Sequence, residues 1–307
     1  MEWCTIESDP GVFHEMISRL GVKDVEVKEL WSLDTESMRA IDAYGYVFLF
    51  KWQKEATREN QALEPHAPPN VWFSRQLINN ACATIAMLNC LMNAPNVDLG
   101  TELTAFRDFT ADMDEEMKGE VLSNSEPIRN VHNSFAKPEP MITEEDKDDR
   151  TGEAFHFITF IPSEGRAIEL DGLKPSPIAH GPTSTDKLAW IDTVQKVLSE
   201  RISRYEASEV RFTLLAICGD SLAAATNRMK ELESMMEDET VQFQRESLIE
   251  TIEEETAKRS RWTTENIRRR HNFLPLLANT LEFLTEHNEL GPLIERAKEL
   301  TRSKANA

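Results

Sequence analysis

Cysteine is scarce in this chain, which limits the chemistry the chain can carry. Only four cysteines occur in 307 residues, and no two of them have the close spacing of a zinc ligand pair or a dithiol motif. We therefore expect neither a disulfide framework nor a metal site, and no cofactor. We expect a reducing compartment in which all four thiols are free: Cys4, Cys82, Cys90 and Cys218.

Basic residues and long apolar runs are also lacking. The chain has 34 basic against 54 acidic residues and a formal net charge of −20. Such a surface repels nucleic-acid phosphates and anionic lipid, and it attracts a basic protein partner. No apolar run approaches the ~20 residues of a membrane-spanning helix, and the first residues lack the pattern of a signal peptide. We expect no nucleic-acid or membrane partner, and a cytoplasmic and nuclear location.

Glycine and proline are absent from residues 220 to 274. Apolar residues in this stretch recur every three or four positions, which is typical of a coiled coil or a long amphipathic helix. A continuous helix would be ~80 Å long, so we predict a break near residues 236 to 244. The change in character predicts a first domain over residues 1–220 and a helical extension over residues 221–307. The extension should contain further helices over 273–290 and onward to about 302.

The first domain mixes helical and strand patterns, which predicts an α+β fold. Several strands are apolar on both faces, as expected for a sheet covered by helices on both sides. An acidic, proline-containing stretch over 137–153 is either a solvated connector or a flap beside the strand that follows it. We predict helices over 9–20, 80–93, 101–118, 125–136 and 187–205, and strands over 25–31, 46–52, 154–161, 166–173 and 210–218.

Cys82 is the first candidate for a functional residue, because the pattern places it in the first turn of a helix. Asn80 is predicted to be the N-cap, so Cys82 would face backbone N–H groups and the positive end of the helix dipole. Both favour the thiolate, which is the nucleophilic form. Gln76, six residues earlier, could direct its amide to the same place. A small buried side chain that happens to be cysteine remains the alternative.

His156 is the candidate base. It lies in the middle of an apolar strand, where an imidazole without a partner is costly. A turn centred between Ser163 and Glu164 would place His156 directly opposite Asp171, with ~5 Å between the Cβ atoms. A carboxylate there would orient the imidazole and raise its basicity. The geometry alone leaves a structural buried pair and a catalytic pair equally open. The other histidines fit surface, capping or packing roles: His14, His66, His132, His180, His271 and His287.

Together these residues supply the parts that a cysteine hydrolase needs. Cys82 would attack a carbonyl, and His156 would take its proton and pass it to the leaving amine. Asp171 would orient His156. Gln76 and the Cys82 backbone N–H would stabilise the oxyanion, each such donor being worth ~3 kcal/mol of barrier. Cys90, farther along the same helix, is predicted to be a packing residue.

Several segments resemble one family. QLINNACATIAMLNCL, with glutamine six residues before cysteine, resembles the active-site segment of the ubiquitin carboxyl-terminal hydrolases. AFHFITFIPSEGRAIELDGL resembles their histidine strand and the Asp-Gly-Leu that ends the next strand. ENIRRRHNFLPLL resembles the C-terminal domain of the long, proteasome-associated member. The resemblance covers residues 2–220 and about 262–300.

The resemblance implies a papain-like cysteine protease fold, in which an antiparallel sheet is flanked by helices and the backbone is knotted, with an all-helical C-terminal extension. It implies a thiol-dependent deubiquitinase that hydrolyses peptide or isopeptide bonds at the C-terminal glycine of ubiquitin. The roles of Cys82, His156, Asp171 and Gln76 match those of the family, and residues 137–154 fall at its crossover loop.

The partners are also implied by the resemblance. They are ubiquitin, a ubiquitin-receptor adaptor of the proteasome bound through residues 262–303, and a chromatin-remodelling complex. The alternative is a catalytically idle ubiquitin-binding module or proteasome scaffold.

Overall fold

A six-stranded antiparallel sheet forms the centre of the first domain in the computed structural model of the chain. The structure describes residues 3–52, 70–78, 80–136, 155–205, 211–233 and 239–305. The strand order is β1-β6-β2-β3-β4-β5. The strands are β1 (Val25–Leu30), β2 (Ala43–Lys51), β3 (Phe155–Ser163), β4 (Arg166–Leu170), β5 (Ile178–His180) and β6 (Thr213–Gly219).

Eleven helices surround or extend this sheet in the described residues. They are α1 (Pro10–Arg19), α2 (Thr35–Arg39), α3 (Cys82–Leu91), α4 (Gly100–Thr110), α5 (Glu115–Asn124), α6 (Glu126–Asn133), α7 (Ala189–Ile202), α8 (Ser221–Glu233), α9 (Glu239–Arg270), α10 (Leu274–Glu286) and α11 (Leu290–Ala305). This is the predicted α+β arrangement of an antiparallel sheet flanked by helices, with a helical C-terminal region. The knotted course of the backbone stays a prediction, because residues 53–69 and 137–154 lie outside the description.

Two hydrophobic cores lie on opposite faces of the sheet. The first packs α1 and α3 against the sheet through fully buried side chains such as Phe13 and Leu88. The second packs α2 and α7 against the other face around Tyr46, Phe160 and Trp190. Strands β2 and β3 contribute to both cores, which explains why their sequences are apolar at successive positions. The central strand predicted from residues 154–161 is confirmed.

The single helix predicted over residues 101–118 is wrong, because the chain forms α4 and α5 instead. The Asp114 carboxylate accepts the backbone N–H of Met117 at 2.7 Å and caps a new helix. An aspartate placed there favours a helix start over a helix interior. Leu103 of α4 is buried, whereas Phe109 is 67% exposed.

The helical extension folds back on itself. Helices α8 and α9 pack as an antiparallel pair, with Arg245 near the Leu232 carbonyl at one end and Arg259 on Asp220 at the other. The predicted break therefore exists: α8 ends at Glu233 and α9 begins at Glu239. At 32 residues, α9 is ~48 Å long.

Helix α9 also docks on the first domain, along α1. The Asn266 amide donates to the Gly11 carbonyl at 3.0 Å, and Arg269 forms an ion pair with Asp9 at 2.8 Å. Asp9 is the predicted N-cap of α1, and it accepts the N–H groups of the helix's first turn. The contacts cross the boundary drawn at residue 220. The division into domains at that residue stays a prediction.

Helices α10 and α11 pack against each other and carry many apolar side chains that are half exposed or more. Proline lies in the first turn of each helix, as Pro275 and Pro292, where its missing N–H costs nothing. Among the described residues, no helix combines the length and the apolar character that a membrane crossing requires.

Candidate active site

Cys82 is the first residue of α3, and its side chain is half buried. The first acceptor of the helix is the Ala81 carbonyl, which takes the N–H of Ile85 at 2.9 Å. The N–H groups of residues 82 to 84 therefore have no partner within the helix. The predicted cap is wrong: Ala81 occupies the N-cap position, and the Asn80 amide donates instead to the Trp3 carbonyl at 3.2 Å. Asn80 adopts a left-handed backbone with φ 68°, which removes its side chain from the helix end.

The sheet fixes the position of α3. The Thr159 hydroxyl on β3 donates to the Ala86 carbonyl at 2.6 Å, one turn beyond Cys82. Gly45 on β2 allows the close approach, because a Cβ there would lie 2.7 Å from the Cys90 sulfur. Cys90 is fully buried, and burial raises the pKa of its thiol. These contacts agree with the packing role predicted for Cys90, and they place Cys82 against the strand that carries His156.

The imidazole of His156 donates from Nε2 to Oδ1 of Asp171 at 2.6 Å. Both residues are buried, at 3% and 6% exposed. The predicted register of the hairpin is wrong by two residues, because Ser163 pairs with Arg166 and the turn is centred on Glu164 and Gly165. A shift of two keeps each side chain on its face of the sheet, so the two residues remain neighbours.

Cys82 lies close enough to His156 to affect the titration of the imidazole. Since Nε2 of His156 faces Asp171, Nδ1 is the ring nitrogen left for the sulfur. Burial lowers the pKa of His156, but the hydrogen bond to Asp171 and the interactions with Asp171 and Cys82 outweigh it and raise the pKa to about 9. The protonated imidazole is therefore the state that this geometry favours near neutral pH.

Gln76 lies beside the same cluster. Its backbone N–H donates to the Gly172 carbonyl at 2.8 Å, and a Cβ on Gly172 would lie 2.9 Å from the Gln76 Cβ. The loop that carries Gln76 is therefore in contact with the residue after Asp171. The Gln76 amide nitrogen donates to the Ile78 carbonyl at 3.1 Å, which leaves its second N–H available for another acceptor. The predicted site residues are thus connected: Gln76 contacts Gly172, the residue after Asp171, and Asp171 contacts His156.

Asn89 of α3 and Asn93, two residues beyond the end of the helix, hold the segment that leads to Gln76. Buried Asn89 accepts the Ser74 N–H at 2.9 Å. Asn93 accepts the Trp72 N–H at 2.8 Å and donates to the Trp72 carbonyl at 2.7 Å. The backbone groups of this extended segment thus bond to asparagine side chains instead of to a neighbouring strand. The sequence analysis did not identify either residue; their spacing of four on one helix face was the available signal.

Three exposed apolar side chains lie next to residues of the cluster along the chain, and we call them the apolar rim. Leu77 follows Gln76, Phe155 precedes His156, and Leu173 lies just beyond Asp171, with exposures between 37% and 44%. Phe50 packs edge-on against the His156 ring at 5.8 Å between centroids. The site is thus a buried polar cluster that opens onto an apolar surface. The segment predicted to be a connector or flap, 137–153, lies outside the described residues.

A second buried charge cluster lies farther along the hairpin, around Glu169, which pairs with Phe160. Glu169 is 1% exposed and contacts Nε2 of His180 at 2.8 Å and the Arg201 guanidinium at 2.7 Å. Although burial raises the pKa of Glu169, the Arg201 charge and the His180 contact lower it to about 2. His180 was assigned to an exposed segment from sequence; in the structure it lies on β5 as a partner of a buried carboxylate. We therefore assign this cluster a role in stability.

No side-chain group suited to a metal ion was found among the described residues. Each of the four cysteines, all of them described, is a free thiol.

Comparison with protein families gives two matches. The model described as "Ubiquitin carboxyl-terminal hydrolase, family 1" matches residues 3–203. A second model, described as "Ubiquitin carboxyl-terminal hydrolases", matches residues 245–290 in the extension.

Individual proteins are similar over nearly the whole chain. Ubiquitin carboxyl-terminal hydrolase isozyme L5 of Dictyostelium discoideum is 37% identical over 338 residues, covering 98% of this chain and 97% of the relative. Ubiquitin carboxyl-terminal hydrolase 2 of Schizosaccharomyces pombe is 41% identical over 309 residues, covering 97% of each. The crystal structure of Trichinella spiralis UCH37 bound to ubiquitin vinyl methyl ester has 37% identity and a TM-score of 0.70, covering 85% of this chain and 99% of that one.

Proposed function

The chain belongs to family 1 of the ubiquitin carboxyl-terminal hydrolases and is a cysteine-type deubiquitinase, and we propose that Cys82 is its nucleophile. The single observation that supports this most strongly is the buried hydrogen bond from His156 to Asp171 beside Cys82. Thiol, imidazole and carboxylate lie in the order that nucleophilic catalysis requires.

The reaction would proceed in two steps. The Cys82 thiolate attacks the carbonyl of the C-terminal glycine of ubiquitin, and a thioester forms as the C–N bond breaks. His156 donates its proton to the leaving amine. It then accepts a proton from water, whose oxygen attacks the thioester and releases the ubiquitin carboxylate. Asp171 holds the imidazole with Nδ1 toward the sulfur throughout.

The oxyanion that forms at each attack needs hydrogen-bond donors. The Cys82 backbone N–H has no partner within the helix, and Gln76 is positioned next to Gly172 with one amide N–H available. We assign these two groups to the oxyanion. Donors fixed in place before the reaction stabilise the developing charge without reorganisation.

Ubiquitin is the proposed substrate and partner, joined to its leaving group by a peptide or isopeptide bond. A solved relative carries a ubiquitin derivative with a C-terminal electrophile. The basic tail of ubiquitin suits a chain with a net charge of −20. The apolar rim offers contact surface around the nucleophile for the residues that precede the scissile bond.

A ubiquitin probe with a C-terminal electrophile tests this assignment. The wild-type chain should be labelled and should also hydrolyse a fluorogenic ubiquitin amide, whereas Cys82→Ala should lose both activities. Cys4→Ser, which changes an exposed thiol, is the matched control and should behave like the wild type. Labelling that survives in Cys82→Ala would refute the role of Cys82. A wild-type chain that binds ubiquitin without turnover would point to the idle binding module instead.

The extension is proposed to bind a ubiquitin-receptor adaptor of the proteasome. The support is the resemblance over residues 262–300 and the number of exposed apolar side chains on α10 and α11. Exposed apolar groups in such density mark an interaction surface. On the same resemblance we propose a location in the cytoplasm and nucleus and an association with a chromatin-remodelling complex. The exposed side chains are Phe273, Leu276, Leu277, Leu281, Phe283, Leu293 and Ile294.

Co-sedimentation with proteasomes tests this surface. The double substitution Leu277→Glu and Leu281→Glu should abolish association while leaving turnover of the ubiquitin amide by the free chain intact. Phe243→Glu, at a residue 72% exposed on α9, is the matched control and should still co-sediment. Equal co-sedimentation of all three chains would contradict the proposal.

A further inference from the structure

The backbone just before the nucleophile has an unusual conformation. Asn80 has φ 68°, in the left-handed region that few residues other than glycine adopt without strain. Ala81 follows with φ −95° and ψ 4°, and the helix then begins at Cys82 without a side-chain cap. This turn determines the direction from which the chain enters α3. It therefore also determines where the Cys82 sulfur and N–H point.

The Asn80 side chain is fixed by the N-terminal segment. Its amide donates to the carbonyl of Trp3 at 3.2 Å. Although Asn80 itself is exposed, Trp3 is only 5% exposed and belongs to the first hydrophobic core. The Trp3 ring packs edge-on against the His132 ring at 4.9 Å between centroids. The acceptor that holds Asn80 is thus itself rigidly packed.

His132 joins the same segment to the other side of the nucleophile. It is fully buried, and burial lowers its pKa although the hydrogen bond to Cys4 opposes this. The neutral ring donates from Nε2 to the Cys4 carbonyl at 2.7 Å, so Nδ1 accepts the hydroxyl of Thr84, also at 2.7 Å. Thr84 lies on α3, two residues beyond Cys82. We call Trp3, Cys4 and His132 the N-terminal brace.

We propose that Asn80 is a positioning residue for the reaction of Cys82, held in place by the N-terminal brace. The brace contacts the chain two residues before the nucleophile, at Asn80, and two residues after it, at Thr84. It therefore fixes both ends of the short segment that presents the sulfur and the N–H assigned to the oxyanion. The proposal rests on the proposed function, because it concerns the same nucleophile.

Two substitutions of Asn80 separate the parts of this role. Asn80→Ala removes the amide and the tolerance for positive φ, whereas Asn80→Gly removes only the amide. We expect kcat for a fluorogenic ubiquitin amide to fall about ten- to a hundredfold in Asn80→Ala with KM within about threefold, because small displacements of reacting groups are costly. Asn80→Gly should recover part of the loss. Rates are expressed per active site titrated with the ubiquitin probe.

Asn96→Ala is the matched control. Asn96 also has a left-handed backbone, with φ 61°, but it lies in an exposed turn after α3. Its substitution introduces the same backbone strain without touching the brace. We expect a comparable loss of thermal stability and an unchanged kcat per titrated site. A kcat for Asn80→Ala within about twofold of this control would overturn the proposal. So would a loss confined to KM, which would place Asn80 on the ubiquitin-binding surface.

A second measurement does not depend on ubiquitin. The rate of alkylation of Cys82 by iodoacetamide, followed by mass spectrometry of the peptide that contains it, reports the state of the thiolate directly. Asn80→Ala should slow this reaction at neutral pH relative to the wild type and Asn96→Ala, and Asn80→Gly should lie between. Equal alkylation rates would overturn the proposal. A wild-type chain that is alkylated rapidly but cleaves no ubiquitin amide would defeat the proposed function alone.

Discussion

His156 donates a 2.6 Å hydrogen bond to Asp171, a residue that lies one position beyond the end of β4. The Asp171 carboxylate also accepts the backbone N–H of Leu173 at 2.9 Å, so its orientation is set by the turn that follows the strand. Both side chains are buried, which strengthens the interaction and fixes the imidazole. The pair determines which ring nitrogen faces the nucleophile.

Asp171→Asn should lower kcat by at least about a hundredfold with little change in KM, because an amide can stabilise the wrong tautomer of His156 and does not stabilise its protonated form. Turnover of a fluorogenic ubiquitin amide measures the effect. Asp192→Asn is the control, since Asp192 is an exposed partner of Arg39. A substitution at Asp171 that left kcat near that of the control would show that the pair is structural.

The pH dependence of the enzyme should follow His156. Its pKa is raised to about 9 by Asp171 and Cys82, so kcat/KM should fall as pH rises through about 9, when the proton needed by the leaving amine is lost. A basic limb near pH 6.5 instead would contradict the raised pKa.

The same proton should affect stability. A raised pKa means that the folded chain binds the proton more tightly than the unfolded chain, for which a value of about 6.5 is expected. The stabilisation is therefore complete below pH 6.5 and is lost as pH rises toward 9. Cys82→Ala removes one of the two negative partners and should reduce this dependence in urea unfolding measured between pH 6 and 10. An unchanged profile would count against the Cys82–His156 contact.

The hairpin shows why the site could be predicted from sequence although its register could not. Apolar residues on both faces identified β3 as a central strand, and a histidine there required a partner. The turn lies one residue later than predicted, because Glu164 and Gly165 both adopt left-handed conformations. Shifting the turn by one residue shifts the pairing by two, which keeps His156 and Asp171 on the same face. The face of the sheet on which a side chain lies is therefore predicted more reliably than the residue that lies opposite it.

Other features depend on contacts that the sequence does not reveal. Asn80 is a good cap by residue type, but the acceptor that takes its amide is Trp3, seventy-seven positions earlier. Asp114 divides a continuous amphipathic pattern into two helices by capping the second. His180 has an ordinary loop sequence around it and becomes half buried only because Glu169 lies opposite its strand. Each outcome is decided by a tertiary partner rather than by a local preference.

Gln76 provides a further prediction. Gln76→Ala should lower kcat by about 10²–10³ with KM nearly unchanged, the usual effect of removing an oxyanion donor. Gln76→Glu keeps the length of the side chain but offers no donor at neutral pH, so its loss should be at least as large. Gln195→Ala, at a partly buried residue of α7 whose amide donates to the Ser199 hydroxyl, serves as the control. An active Gln76→Glu enzyme would exclude the amide N–H from the oxyanion site.

Glu169 should control stability rather than turnover. Glu169→Gln removes the charge that His180 and Arg201 contact, and breaking such a buried pair typically costs about 3–5 kcal/mol in the free energy of unfolding. The matched control is Glu200→Gln, at an exposed position of α7. A cost similar to that of the control would mean that the cluster does not contribute to the free energy of unfolding.

The stability of the wild type at acid pH should depend on the Glu169 carboxylate. The pKa of Glu169 is lowered to about 2 from an ordinary value of 4.5, so its contribution is present above pH 4.5 and is lost as pH falls toward 2. Glu169→Gln should lack this part of the acid transition. Urea unfolding at several pH values below 6 measures the difference. An identical acid profile in both chains would contradict the lowered pKa.

The contact between α9 and α1 gives the last prediction. A Cβ at Gly11 would lie 2.5 Å from Cγ of Trp262 and 2.9 Å from its Cβ, so Gly11→Ala must displace α9 or strain α1. Overpacking of this kind typically costs about 1–3 kcal/mol. In a Trp262→Ala background the ring is gone and only the 2.9 Å contact with the Cβ remains. Gly11→Ala should therefore destabilise the wild type by more than it destabilises the Trp262→Ala chain.

A double-mutant cycle measures this difference through the free energy of urea unfolding. Because α9 also pairs with α1 through Arg269 and Asp9, a single cooperative transition is expected for the first domain and α9 together. Gly291→Ala is the control, since nothing lies within 4 Å of a Cβ at that position. It should show no coupling to Trp262→Ala. Equal costs of Gly11→Ala in both backgrounds would mean that α9 does not rest on α1 in solution, and the extension would then move independently of the catalytic domain.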